Sequence, residues 1–156
     1  MKLLIGLGIL IIGILLGLVG QTLAESVQYP SGSAIERSSP RDRISESDIT
    51  LFPDRVVIEL SGAQWARFAD TNSMDPVLDA GANAIQVVPK SMDEIDVGDI
   101  ISYRHSSGRV IIHRVIEKGI DANGWYVIAQ GDNNPLPDPD KIRFEHITRV
   151  VVAIIY

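Results

Sequence analysis

Apolar and polar positions divide the chain into three stretches. Leu3 to Gly20 is an unbroken run of 18 Leu, Ile, Val and Gly residues. Glu25 to Thr50 mixes seven serines, two prolines and eight charged residues with scattered Val27, Ile35, Ile44 and Ile49. From Phe52 onward, short β-branched runs alternate with turn residues. Arg55–Leu60, Ala84–Val88, Asp99–Tyr103, Val110–Ile116, Trp125–Ala129 and Thr148–Ile155 each read as a strand. Asp79–Asn83, Ser106-Ser107-Gly108 and Asn123-Gly124 separate them, and Asn-Gly between apolar runs is a strong hairpin signal. Ala63–Phe68 is the one stretch with helical character, and it is too short to stand alone. The pattern predicts an all-β fold, a mostly antiparallel barrel or sandwich over residues 51–156.

The first stretch has a different solvent. A helix rising about 1.5 Å per residue over that run crosses most of a roughly 30 Å hydrocarbon layer. This predicts a transmembrane anchor over residues 1–24. Lys2 and the amino terminus are the positive charges on the short side, which places the N-terminus in the cytoplasm and the remainder outside it. Thr22-Leu23-Ala24 offers the small residues of a signal-peptide cleavage site, but the run exceeds the usual apolar core of such peptides. Both readings make the rest of the chain extracytoplasmic. Residues 25–50, polar and proline-broken, read as a tether with little core of their own.

Composition narrows the chemistry. The chain of 156 residues has 20 acidic against 14 basic residues, a net charge of −6, which argues against a nucleic-acid partner. Its hydrophobic fraction of 46% agrees with a membrane segment. Cysteine is absent, which excludes a disulfide scaffold, cysteine-ligated zinc and a thiol nucleophile.

Three segments carry residues suited to catalysis. Ser73 lies in Thr71-Asn72-Ser73-Met74-Asp75-Pro76, where the proline restricts the backbone and gives the hydroxyl a defined turn. His113 shares a strand face with Ile111 and Val115, so its imidazole is partly desolvated and held ready to accept a proton. Gly131-Asp132-Asn133-Asn134-Pro135-Leu136-Pro137-Asp138-Pro139-Asp140 is a rigid loop with three carboxylates. A carboxylate bonded to an imidazole N–H fixes its tautomer, and Asp132 and Asp138 are both candidates. Each segment also has a structural reading: a turn serine, a core histidine, a surface loop. Asp132, Asn134, Asp138 and Asp140 offer oxygens for calcium, without EF-hand spacing.

In order, these segments resemble the boxes of type I signal peptidases. Ser73-Met74-Asp75-Pro76 is similar to their Ser-Met-x-Pro box, and Gly98-Asp99-Ile100-Ile101 to their Gly-Asp-apolar-apolar strand. His113-Arg114 looks like the next box, which is His-Arg in the archaeal and endoplasmic-reticulum branch and Lys-Arg in bacterial members. Gly131-Asp132-Asn133-Asn134 with Asp138 resembles the last. Asn72 stands where a glycine is usual, and Val77–Asn83 departs from common members.

The resemblance implies a membrane-bound serine endopeptidase that removes signal peptides, with a mostly β catalytic domain on the outer face of the plasma membrane. It implies Ser73 as nucleophile, His113 as general base, and Asp138 or Asp132 as its partner. Thr71 and the Ser73 N–H would hold the oxyanion. The implied partners are signal-peptide-bearing precursors and membrane lipid, with secretion-machinery subunits left open. No metal or organic cofactor is required. Two rivals stand beside it. One is a self-cleaving, repressor-like Ser/Lys protease with Lys90 or Lys118 as base. The other is a non-catalytic membrane-anchored β-domain that serves assembly or binding.

Overall fold

The β-branched runs from Ala84 onward fold as strands because each can bury alternate residues on the two sides of one sheet. The computed structural model describes residues 36–156. The strands are β1 (Ile49–Leu51), β2 (Val56–Ile58), β3 (Gln64–Arg67), β4 (Asn83–Val87), β5 (Ile100–Arg104), β6 (Val110–Asp121), β7 (Gly124–Gln130) and β8 (Ile147–Ile155). β1 and β2 form a separate two-stranded ribbon. The other six make one antiparallel sheet in the order β3-β4-β8-β5-β6-β7. The all-β expectation therefore holds for the described residues. The strand order ends at β3 and β7, and Ile142 pairs with Val127 across the outer side of β7. Among the described residues, helical geometry is limited to three single 3₁₀ turns. No helix among them is long and apolar enough to cross a membrane. The expected anchor over 1–24 and the tether over 25–35 lie outside the described residues.

Ala63–Phe68 forms a strand where helical character was expected. Trp65 pairs with Ile85 and Ala66 with Ala84, so ladder hydrogen bonds along β4 override a weak local preference. Pleating also divides the core in two. Ile101 and Tyr103 point from β5 into one cluster with Val115, Val127 and Val150. Ile100 points the other way, to Met74, Leu78, Ala84 and Val151.

The second half of the expected tether is bound to the sheet. Asp99 is fully buried. Its carboxylate accepts from Arg43 Nη2 at 2.6 Å, Arg41 N at 3.0 Å and Asp96 N at 2.9 Å. Gly98 has φ +103°, and a Cβ there would fall 2.1 Å from the Ser39 carbonyl oxygen, so the strap crosses where only glycine leaves room. The physical reason for the difference is that arginines at 37, 41 and 43 meet aspartates of the β-domain, and composition counts charges without their partners. The contact unit accordingly runs from Glu36 to Tyr156. Thr50, at the expected end of the tether, already lies in β1, paired with Val57.

Arg43→Met leaves Asp99 buried with only two backbone donors. Breaking such a pair costs about 3–5 kcal/mol, and the remaining N–H groups put the expected loss near the lower end. Arg55, paired with Asp54 on the surface, serves as the control, with an expected change of about 0.5 kcal/mol or less on Ala substitution. Urea titration of both variants checks the contrast, and equal losses would contradict the strap.

Candidate active site

Ser73 sits in a turn fixed at both ends. Asp75 N–H donates to the Asn72 carbonyl, and Val77 and Leu78 N–H both donate to the Met74 carbonyl at 2.9 Å. Met74 and Leu78 are buried in the second core cluster and anchor the turn. Asn72 has φ +56°, a left-handed conformation that favours glycine and that asparagine tolerates better than most residues. The Ser73 hydroxyl lies 3.2 Å from Thr71 Oγ1. Among the described residues the Ser73 N–H donates to no protein acceptor.

The imidazole is held from the other side. His113 Nδ1 lies 2.9 and 2.7 Å from the two oxygens of Asp138. A carboxylate only accepts, so Nδ1 carries the proton and a neutral ring offers Nε2 as an acceptor. Tyr103 donates its phenol to Asp138 Oδ2 at 2.7 Å. Tyr103 belongs to the same face of the β5–β6 pair, because Ile101 sits opposite His113 and Tyr103 opposite Ile111. Burial, then the bond to Asp138, pushes the phenol well above its ordinary range, so it remains a neutral donor. The Asp138 N–H donates to the Ala129 carbonyl at 2.8 Å, tying the loop to the end of β7.

Asp132 has another partner. Arg114 grips it with two bonds, Nε to Oδ1 at 2.8 Å and Nη2 to Oδ2 at 2.7 Å, both buried. Arg37 donates to its backbone carbonyl and lies 3.7 Å from its carboxylate. Of the two aspartates left open by the sequence, the structure brings Asp138 to the imidazole and gives Asp132 to arginine. The next residues of the loop clasp the serine turn. Asn133 N–H donates to the Ser73 carbonyl at 2.9 Å and its side chain to the Asn72 carbonyl at 3.0 Å. A Cβ on Gly131 would fall 2.5 Å from the Ser73 carbonyl oxygen, so glycine permits this approach.

Ser73, Thr71 and His113 line one cavity of about 740 Å³ with Phe68, Met74 and Ile112. Buried Gln86 donates to Ser102 Oγ at 2.7 Å in its wall. No hydrogen bond joins Ser73 Oγ to His113 among the described residues; the serine is bonded to Thr71 instead. Lys118 Nζ is engaged by the Ile95 carbonyl and Asp96, and neither it nor Lys90 lines this cavity, which removes the Ser/Lys alternative. Asp132 goes to Arg114, Asp138 to His113, and Asp140 lies 3.7 Å from His105 Nε2, so the loop carboxylates do not converge as a calcium site requires. Among the described residues no group of three His, Cys, Asp or Glu is placed to hold a metal.

Tyr103 and Arg37 make contacts to the candidate site that the sequence did not single out. Tyr103 had a signal: once the Ser106–Gly108 turn pairs β5 with β6, period-two alternation puts it beside His113. Arg37 had none, since its partner lies 95 residues away.

No family model matches the chain, and no solved structure matches it. It is similar to an uncharacterized protein of Methanocaldococcus jannaschii, at 39% identity over 49 residues. That match spans 31% of this chain and 24% of that protein, so the chain covers about a quarter of its relative's length.

The raised phenol has a sign that can be tested. A group whose folded pKa lies above its unfolded value stabilises fully below the unfolded value, about 10 for tyrosine, and loses that contribution as pH rises further. The wild type is expected to lose stability above about pH 10, and Tyr103→Phe to flatten that decline. At neutral pH the variant should be about 1–3 kcal/mol less stable, because Asp138 loses a buried donor. Thermal unfolding from pH 7 to 11 measures both, and parallel curves would contradict the assignment.

Proposed function

We propose that this chain is a membrane-anchored serine endopeptidase that removes N-terminal signal peptides, with its β-domain outside the cytoplasm. The observation that carries the reading is the Asp138-oriented imidazole of His113 in the wall of the same cavity as Ser73. The order of the four sequence boxes supports it further. An unpaired Ser73 N–H and the Thr71 hydroxyl beside it supply the two donors an oxyanion needs.

In this mechanism a precursor lays its cleavage segment along the cavity as an extended strand. The reaction begins when the serine hydroxyl leaves Thr71 and engages His113 Nε2. The Ser73 oxygen attacks the scissile carbonyl while His113 takes its proton, and Asp138 stabilises the imidazolium that forms. The Ser73 N–H and Thr71 hold the oxyanion, each donor being worth about 10²–10³ in rate. His113 then protonates the leaving amine, and water releases the acyl group. Confining enzyme and substrate to one membrane surface raises their effective concentration.

One observation favours a second reading. Ser73 bonds Thr71 and not His113, as a non-catalytic anchored binding domain would permit. Cleavage of a membrane-inserted precursor by the full chain in detergent separates the two. Ser73→Ala should abolish cleavage and leave the fold intact; cleavage that persists would remove the nucleophile assignment.

The aspartates provide a finer test. Asp138→Ala should lower kcat by about 10³–10⁴, in keeping with loss of an imidazole-orienting carboxylate. Asp140→Ala should change it little, and Asp132→Ala should act mainly on stability by stranding Arg114. Rate and melting temperature measured for all three variants decide the matter. Equal kinetic effects at 138 and 140 would contradict these roles.

A further inference from the structure

The cavity beside Ser73 and His113 has an unusual charge for this protein. Acidic residues outnumber basic ones by 20 to 14 in the chain, yet among the described residues no carboxylate lines the cavity. Its charged lining consists of Arg67, the last residue of β3, and Arg109, just before β6. β3 and β6 are four places apart in the strand order, so the two arginines border the cavity from separate parts of the sheet.

Six of the ten arginines of the described chain have carboxylate partners; Arg104 and Arg149 have none, and neither of those two lines the cavity. Arg43 holds Asp99, Arg114 holds Asp132 and Arg143 holds Asp121. Arg67 and Arg109 have no carboxylate within 4.0 Å among the described residues. Arg67 makes no side-chain hydrogen bond there, and Arg109 gives only a 3.4 Å contact to Ser107 Oγ. Both are exposed. Between them the lining is apolar or neutral: Phe68, Met74, Leu78, Ile112 and the Gln86–Ser102 pair. An extended peptide advances about 3.3 Å per residue, so a segment crossing a cavity with this lining meets both neutral surface and an arginine within a few residues.

We propose that Arg67 and Arg109 make this cavity selective for peptides that carry a carboxylate side chain next to a short uncharged stretch. This rests on the peptidase reading for where the peptide is cut, but the binding preference stands without it. Guanidinium pairs with carboxylate in a fork that lysine cannot match. The arginines are specificity-determining residues and take no part in proton transfer. Their place in the wall that holds Ser73 and His113 favours a peptide over a lipid headgroup as the anion's source.

The test uses the full chain in neutral detergent micelles with Ser73→Ala, so that binding is read without turnover. Labelled peptides share one uncharged core, and a single Asp, Asn or Lys is moved along the flanks. Fluorescence anisotropy should show the best Asp peptide binding about three- to tenfold tighter than its Asn counterpart, the magnitude of one or two partly exposed ion pairs. Lys should bind weakest, and 0.5 M salt should narrow the spread. Arg67→Gln with Arg109→Gln should erase the preference. With Ser73 present, the same pair should raise KM for the Asp peptide with little change in kcat, the pattern of uniform binding lost.

Equal affinity for Asp and Asn peptides, or a preference that survives both substitutions, overturns the proposal. So does binding to anionic lipid vesicles that depends on these arginines while the peptides bind alike. A preserved Asp preference without any cleavage upholds the proposal and counts against the peptidase. Cleavage with no charge preference does the reverse.

Discussion

The candidate site depends on two adjacent residues of β6 gripping two aspartates of one loop. His113 and Arg114 leave the strand on opposite sides, as neighbours on a pleated strand must. The first takes Asp138 and the second Asp132, six residues earlier. One buried and one partly buried charge-assisted contact from the same strand therefore hold the loop at both ends. Together they determine where Asn133 stands, and Asn133 holds the backbone of Ser73.

Burial explains why the arrangement is strict. An Arg–Asp pair away from water recovers its desolvation cost only through good geometry, and Arg114 has it: a two-pronged grip on Asp132 plus a 2.9 Å bond to the Gly98 carbonyl. That carbonyl belongs to the glycine over which the strap of residues 37–43 passes. Arg37 and Arg43 at its ends bind Asp132 and Asp99. The strap, the β5 entry, Arg114 and the serine turn thus form one connected set of polar contacts. The imidazole is steadied from the opposite core by Tyr103 through Asp138. Serine and histidine are positioned by different halves of the core and meet at one cavity.

Much of this was legible from residues. Period-two alternation and turn chemistry placed six strands to within a few positions, since buried β-branched runs leave little choice. The serine turn, the histidine face and the aspartate loop were visible as local patterns. What stayed hidden was pairing at long range. Nothing in the loop distinguishes Asp132 from Asp138; only the sides from which His113 and Arg114 reach it do so. The strap looked like a tether because Arg37, Arg41 and Arg43 meet their partners more than 50 residues away. Gln64–Arg67 looked helical because its β4 partner lies about 20 residues on.

The central claim is that Ser73 can be acylated with His113 as its base. Rapid acid quench and mass spectrometry of the full chain, mixed in detergent with an activated ester of a short small-residue peptide, measures that step directly. The account predicts an acyl adduct on Ser73 that forms at least about 10²-fold more slowly after His113→Ala and never after Ser73→Ala. No adduct on the wild type, or one that forms at the same rate without His113, would contradict it.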